Sequence, residues 1–115
     1  MQLLKQDKLP LSRIARELVG AEHALGISLL FVEAEPGRGP SLHTHPYAEV
    51  FIVQEGQGTY TVGDKEVEAR AGDILVVDAG EPHSFVSSGT EPLRQIDIHL
   101  SPSFSTEWLE EEGEG

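Results

Sequence analysis

Two histidines one residue apart, His43 and His45, are followed four residues later by Glu49 in the stretch HTHPYAEVF. Alternate residues of a β-strand face the same side, so in an extended chain His43, His45 and Glu49 point together, with Phe51 and Val53 next on that face. Pro46 interrupts regular pairing between them and could shift the phase near Tyr47. Two imidazoles and a carboxylate turned into an interior are costly to bury unless something satisfies them, and one bound cation satisfies all three. A fourth donor, His83, follows a Gly/Pro turn in AGEPHSF. Imidazole and carboxylate donors without thiolate suit a divalent transition metal such as Fe, Mn, Ni, Cu or Zn. The chain has no cysteine, which excludes a disulfide framework, a thiolate metal site and a cysteine nucleophile.

Other polar residues can be placed in two ways. In LRQIDIHL, Gln95, Asp97 and His99 share one face of a strand, and Ile96, Ile98 and Leu100 share the other. A polar outer face over an apolar core is the ordinary arrangement. If the polar face turns inward instead, His99 can touch substrate or move a proton. Phe51 and Phe85 flank the ligand candidates and can line a pocket, as can Tyr47. Arg38, just ahead of the histidines, could draw an anionic substrate to the mouth. His23 is expected at the surface.

The elements that must hold these residues are short strands separated by Gly and Pro. GISLLFVEAE, EVFIVQE, GTYTV, KEVEAR, DILVVD, HSFVSS and LRQIDIHL alternate or are β-rich, and turn signals recur about every eight to twelve residues, as in a sandwich or barrel. Gly63-Asp64 suits a two-residue hairpin turn. LSRIARELVG is expected to be an edge strand. Its stretch from Leu9 to Val19 has no evident partner within the chain and is a candidate for crossing to a second copy. STEWLEEE should form a short C-terminal helix, with Ser105 or Thr106 as cap. Five acids (Glu107, Glu110, Glu111, Glu112 and Glu114) make residues 107–115 an acidic, solubilising tail ending in a disordered GEG.

A length of 115 residues points to one domain, with a core barrel over about 26–100. Eight Lys and Arg against 20 Asp and Glu give a net charge of −12, which argues against nucleic acid or anionic membrane as partners. No apolar run suggests a signal peptide or a membrane span, so a cytoplasmic location is expected.

At this point the residues resemble the cupin family. Its first signature, G-x5-H-x-H-x3-E-x6-G, is met by Gly37, His43, His45, Glu49 and Gly56. Its second, G-x5-P-x-G-x2-H-x3-N, is met at Gly72, Gly80 and His83, with Asp78 in place of the proline and Ser87 in place of the asparagine. The resemblance implies an all-β antiparallel jelly-roll barrel. It also implies one divalent metal held by His43, His45, Glu49 and His83, and often a homodimer. Two functions follow from it: a metal-dependent enzyme acting on a small organic molecule by dioxygenation, decarboxylation, isomerisation or cyclisation, with Glu49 or His99 moving a proton, or a non-catalytic metal-containing module that binds or senses a small ligand.

Overall fold

The computed structural model describes residues 1–111. Eleven strands occur among them: β1 (Leu11–Ser12), β2 (Ala15–Leu18), β3 (Ser28–Ala34), β4 (His43–Thr44), β5 (Glu49–Glu55), β6 (Gln57–Val62), β7 (Lys65–Arg70), β8 (Ile74–Val77), β9 (His83–Ser87), β10 (Leu93–His99) and β11 (Glu107–Trp108). They form two antiparallel sheets, one in the order β1-β2-β3-β10-β5-β8 and the other in the order β11-β4-β9-β6-β7. The seven apolar or alternating runs of the sequence correspond to β3 and to β5 through β10. This is the all-β, two-sheet jelly-roll architecture.

Local chemistry sets the turns. Val62 pairs with Lys65 across Gly63-Asp64. Gly63 alone of these two has positive φ, +61°, the type II′ pattern that matches strand twist. Gly56, between β5 and β6, has φ +79°, and a Cβ there would stand 2.5 Å from the Pro92 carbonyl oxygen. Only glycine fits that crossing.

The apolar core lies between the sheets. Phe51, Tyr60 and Phe85 form an aromatic cluster with ring centroids 5.5 to 5.7 Å apart. Val32, Ala34, Val53, Val77 and Leu93 pack around it. Truncating a buried phenylalanine such as Phe51 to alanine costs about 3–5 kcal/mol in such a core. Glu49 opens β5 and His83 opens β9, and Phe51 and Phe85 lie two residues further along the same inner faces. The aromatic cluster is therefore the floor on which the polar groups rest.

Two terminal expectations are corrected. The stretch from Leu9 to Val19 does not lack a partner: β2 pairs with β3 from Ala15↔Val32 to Leu18↔Leu29, and β1 folds back on β2 at the sheet edge. Burial of Ile14, Ala15 and Leu18 in the chain's own core fixes it there. The C-terminal segment is not helical through residue 111. Glu107–Trp108 instead pairs as β11 with β4. Leu109 N–H donates to the Leu42 carbonyl at 3.0 Å, and Trp108 packs on the His43 ring at 4.9 Å. A helix this short has little stability of its own, so tertiary pairing prevails. Glu112, Glu114 and the GEG end lie outside the described residues. Among the described residues, no helix is long and apolar enough to cross a membrane.

Candidate metal centre

Strand register brings the polar groups together. In one sheet His43 pairs with His83; in the other Glu49 pairs with His99. His45 lies on the crossing that carries the chain from β4 to β5. The inward phase set by His43 and His45 persists past Pro46, so both histidines, Glu49, Phe51 and Val53 are all buried. His43, His45, Glu49 and His83 each offer a donor atom, and these atoms lie within 4.8 Å of one another. Glu49, Asp97 and His99 form a second trio by the same measure, sharing Glu49.

Hydrogen bonds orient the rings. Nδ1 of His43 donates to the Ser41 carbonyl (2.6 Å), that of His45 to the Ser105 carbonyl (2.8 Å) and that of His83 to the Glu81 carbonyl (2.8 Å). A carbonyl only accepts, so Nδ1 carries the hydrogen in each ring and Nε2 turns toward the centre. His83 Nε2 lies 3.1 Å from Glu49 Oε1, where a shared proton joins them. His45 Nε2 and His99 Nε2 stand 3.2 and 3.0 Å from the same carboxylate. Neither contact is a hydrogen bond, and both nitrogens are buried without a hydrogen-bond partner. Buried polar atoms are rarely left so. Convergent, unsatisfied nitrogen beside a carboxylate fits a cation, and a donor set of three imidazoles and one carboxylate fits a divalent transition ion.

The titration of these groups follows from burial and from one another. Burial pulls His43 down to about 4 against the upward pull of the Ser41 carbonyl, so its imidazole is neutral near pH 7. Burial would raise Glu49, but His45, His83 and His99 outweigh it and hold the carboxyl well below the usual range. Burial lowers His83, yet the Glu49 carboxylate and the Glu81 carbonyl more than compensate and raise it. Burial, reinforced by the Glu49 charge, pushes Asp97 well above the carboxylate range, and the Gln95 amide only partly offsets this.

The last long strand is inverted relative to the ordinary arrangement. Gln95, Asp97 and His99 are buried inside at 1%, 2% and 2% exposure, and Leu100 is exposed. Tyr60 donates a short hydrogen bond to Gln95 Oε1, and Gln95 Nε2 donates to Asp97 Oδ1 at 2.7 Å. His99 Nδ1 meets the Tyr47 hydroxyl at 2.7 Å, and that oxygen also accepts the Ser105 N–H at 3.1 Å.

A cavity of about 210 Å³ opens beside the cluster, lined by His43, His45, Glu49, Phe51, Phe85 and His99 among others. Asp97, Phe104 and Trp108 also line it and were not among the residues singled out from sequence. Asp97 shares parity with His99, and Trp108 is the chain's lone tryptophan in an acidic run; both were available signals. Two expected pocket residues lie elsewhere. Tyr47 stands behind His99 rather than on the cavity wall. Arg38 lines a separate concavity outside the barrel, with Arg16, Phe31 and Arg94, because the chain turns inward only at Pro40. His23 is half-buried and meets the Gln2 side chain, away from the cavity.

Known proteins bear on this geometry. The chain is 34% identical over 64 residues to an oxalate-binding protein of Thermotoga maritima, which is 55% of this chain and 53% of that one. It is 32% identical over 54 residues to the HTH-type transcriptional activator RhaR of Escherichia coli K12, covering 47% of this chain and 19% of the activator. These matches thus span about half or less of the relatives' length. Among solved structures, oxalate decarboxylase from Bacillus subtilis superposes with a TM-score of 0.81 at 22% identity, over 92% of this chain and 31% of that one. An uncharacterised protein with a double-stranded beta-helix domain from Klebsiella pneumoniae gives 0.76 at 19%, over 93% and 90%. These two likenesses concern the fold. The Cupin domain family matches residues 30–99, a span that holds both signatures from His43 onward and every residue of the buried cluster, and the chain therefore belongs to the cupin family.

Proposed function

We propose that this cupin holds one divalent transition metal through His43, His45, Glu49 and His83 and acts on a small carboxylate in the adjoining cavity. The observation that carries this is the anchoring of three Nδ1 atoms on backbone carbonyls, which aims three Nε2 atoms and the Glu49 carboxylate at one buried point. A bound divalent ion would supply Lewis acidity and positive charge to an oxygen ligand. The cavity of about 210 Å³ suits a molecule of few heavy atoms. The Thermotoga relative is described as oxalate-binding, and oxalate is a ligand of this class.

An enzymatic role is favoured by His99. Its ring faces the cavity, it belongs to no carbonyl-anchored set, and its second nitrogen rests on a hydroxyl through which a proton can pass. Glu49, flanked by His99, is the other group able to take a proton. A non-catalytic binding module is the second reading, supported by the relative's description as a binding protein.

Calorimetric titration of oxalate into manganese-loaded protein, with product analysis and oxygen uptake on the same samples, tests both. Saturable binding should occur in loaded protein and vanish with chelator. Turnover lost in His99→Ala, with metal retained, identifies the enzyme; binding without turnover identifies the module. No heat from oxalate or other small carboxylates, in protein verified to contain metal, would rule out the ligand class.

A further inference from the structure

The turn that joins β1 to β2 holds a strained residue beside the cavity. Ser12 and Ala15 pair across the two-residue turn Arg13-Ile14. Arg13 has a φ of +49°, in the left-handed region that a residue with a side chain adopts only at a cost. Gly63 holds the same place, first of two turn residues, between β6 and β7, with φ +61°. There glycine meets the requirement without strain. Ala24, the other non-glycine residue with positive φ among the described residues, ends the 3-10 turn Gly20–His23, where a left-handed residue is an ordinary cap. Arg13 caps no helix.

The turn is fixed in place. Ile14 and Ala15 are buried, and the Ile14 carbonyl accepts the Glu33 N–H at 2.8 Å. Arg13 is thereby held at the rim, where it lines both the cavity beside the metal centre and the outer concavity. Among the described residues it is the single Lys or Arg lining the cavity, whose acids are Glu17, Glu49 and Asp97. In a chain of net charge −12, an anionic ligand finds positive charge at a bound metal and, away from the metal, at Arg13. Backbone strain kept at a cleft, where glycine would remove it, marks a side chain that the site uses.

We propose, resting on the reading that the cavity takes a small carboxylate at a metal, that Arg13 anchors a second anionic group of that ligand and so selects a dicarboxylate with a spacer between its ends. A planar guanidinium binds a carboxylate through two parallel N–H···O bonds. Strand register sets the length. Ala15, at the end of the turn, is level with Gln95 through Val32, and Glu49 is level with His99. Gln95 and His99 are separated on β10 by about 13 Å of strand. Side chains occupy part of that interval at each end, and a ligand of four or five carbons spans what is left. Oxalate, whose two carboxyl groups share one bond, would lie at one end only.

The test is calorimetric titration of manganese-loaded protein, verified to contain metal, with oxalate, succinate, glutarate and butyrate. Succinate or glutarate should bind more tightly than oxalate and than butyrate, which has the length of succinate but one carboxylate. Arg13→Gly should weaken the longer dicarboxylates at least about tenfold and butyrate less than about twofold. Its thermal midpoint should be unchanged or raised, because glycine relieves the positive φ. Arg13→Lys, which keeps the charge without the fork, should recover part of the lost affinity. Arg13→Gln keeps a side chain and removes the charge, so it carries the same comparison should the glycine variant not fold. Equal losses for succinate and butyrate, or succinate binding indifferent to Arg13→Gly and Arg13→Gln, would overturn the role of Arg13 while leaving the carboxylate site standing. So would oxalate bound as tightly as the longer acids. Unaltered, metal-loaded protein that binds none of the four would overturn both the carboxylate reading and this one.

Discussion

His43, His45 and His83 each rest Nδ1 on a backbone carbonyl, whereas His99 rests Nδ1 on the Tyr47 hydroxyl. That difference separates three ligand candidates from one proton-handling candidate. The Tyr47 oxygen accepts the Ser105 N–H, and with its own hydrogen given to His99 Nδ1 the His99 tautomer carries its proton on Nε2, beside Glu49 but out of line for a hydrogen bond to it. Nitrogen-15 NMR should therefore report the Nε2–H tautomer at His99 and the Nδ1–H tautomer at His43. Tyr47→Phe should remove the His99 preference, leave His43 as it is, and lower stability by about 1 kcal/mol. An Nδ1–H tautomer at His99 in the unaltered protein would contradict this assignment. The cluster residues were legible because four chemically distinctive side chains recur at fixed spacing. The place of His99 was not, because parity says which residues share a face and not which face is inside. With Ile96, Ile98 and Leu100 on the opposite side, burial by hydrophobicity points the wrong way.

The segment from Phe104 to Trp108 ties the site to the C-terminal region. Phe104 packs edge-on against His99 at 4.9 Å, the Ser105 carbonyl fixes His45, and Trp108 covers His43. Removing residues 104–115 should weaken metal affinity about 10–100-fold, the usual cost of losing the groups that orient a ligand, while unfolding stays cooperative. Unchanged affinity measured by competition with a chelating dye would show that the segment does not orient the site. The strands β5 and β7 read directly from sequence, since alternation and flanking turn residues agree there. β11 did not. Its two paired residues carry no periodic signal, and its strand character comes wholly from β4, whose open edge the sequence does not display. The N-terminal hairpin was legible as an edge element, but its partner, β3, was not, because pairing across the intervening 3-10 turn Gly20–His23 is set by burial of Ile14 and Ala15 rather than by any local motif.

For the molecule as a whole, metal, protons and folding are linked. The folded chain holds His43 near 4 against a usual value of 6.5. Between those pH values the unfolded chain binds more protons at this residue, so its contribution to stability is present above 6.5 and is lost as pH falls toward 4. Glu49, held low, acts in the same direction at lower pH. His83, held high, acts oppositely: its contribution is present below 6.5 and is lost as pH rises through its folded value. A metal would displace the His83 proton, so binding should strengthen with rising pH. The most direct measurement is the metal content of protein dialysed against manganese and then against metal-free buffer, at pH 8 and pH 5, for the unaltered chain and for His45→Ala. The account predicts one ion per chain at pH 8, sharp loss at pH 5, and sharp loss at both pH values in His45→Ala with the fold intact. Full occupancy in the folded His45→Ala protein would contradict it.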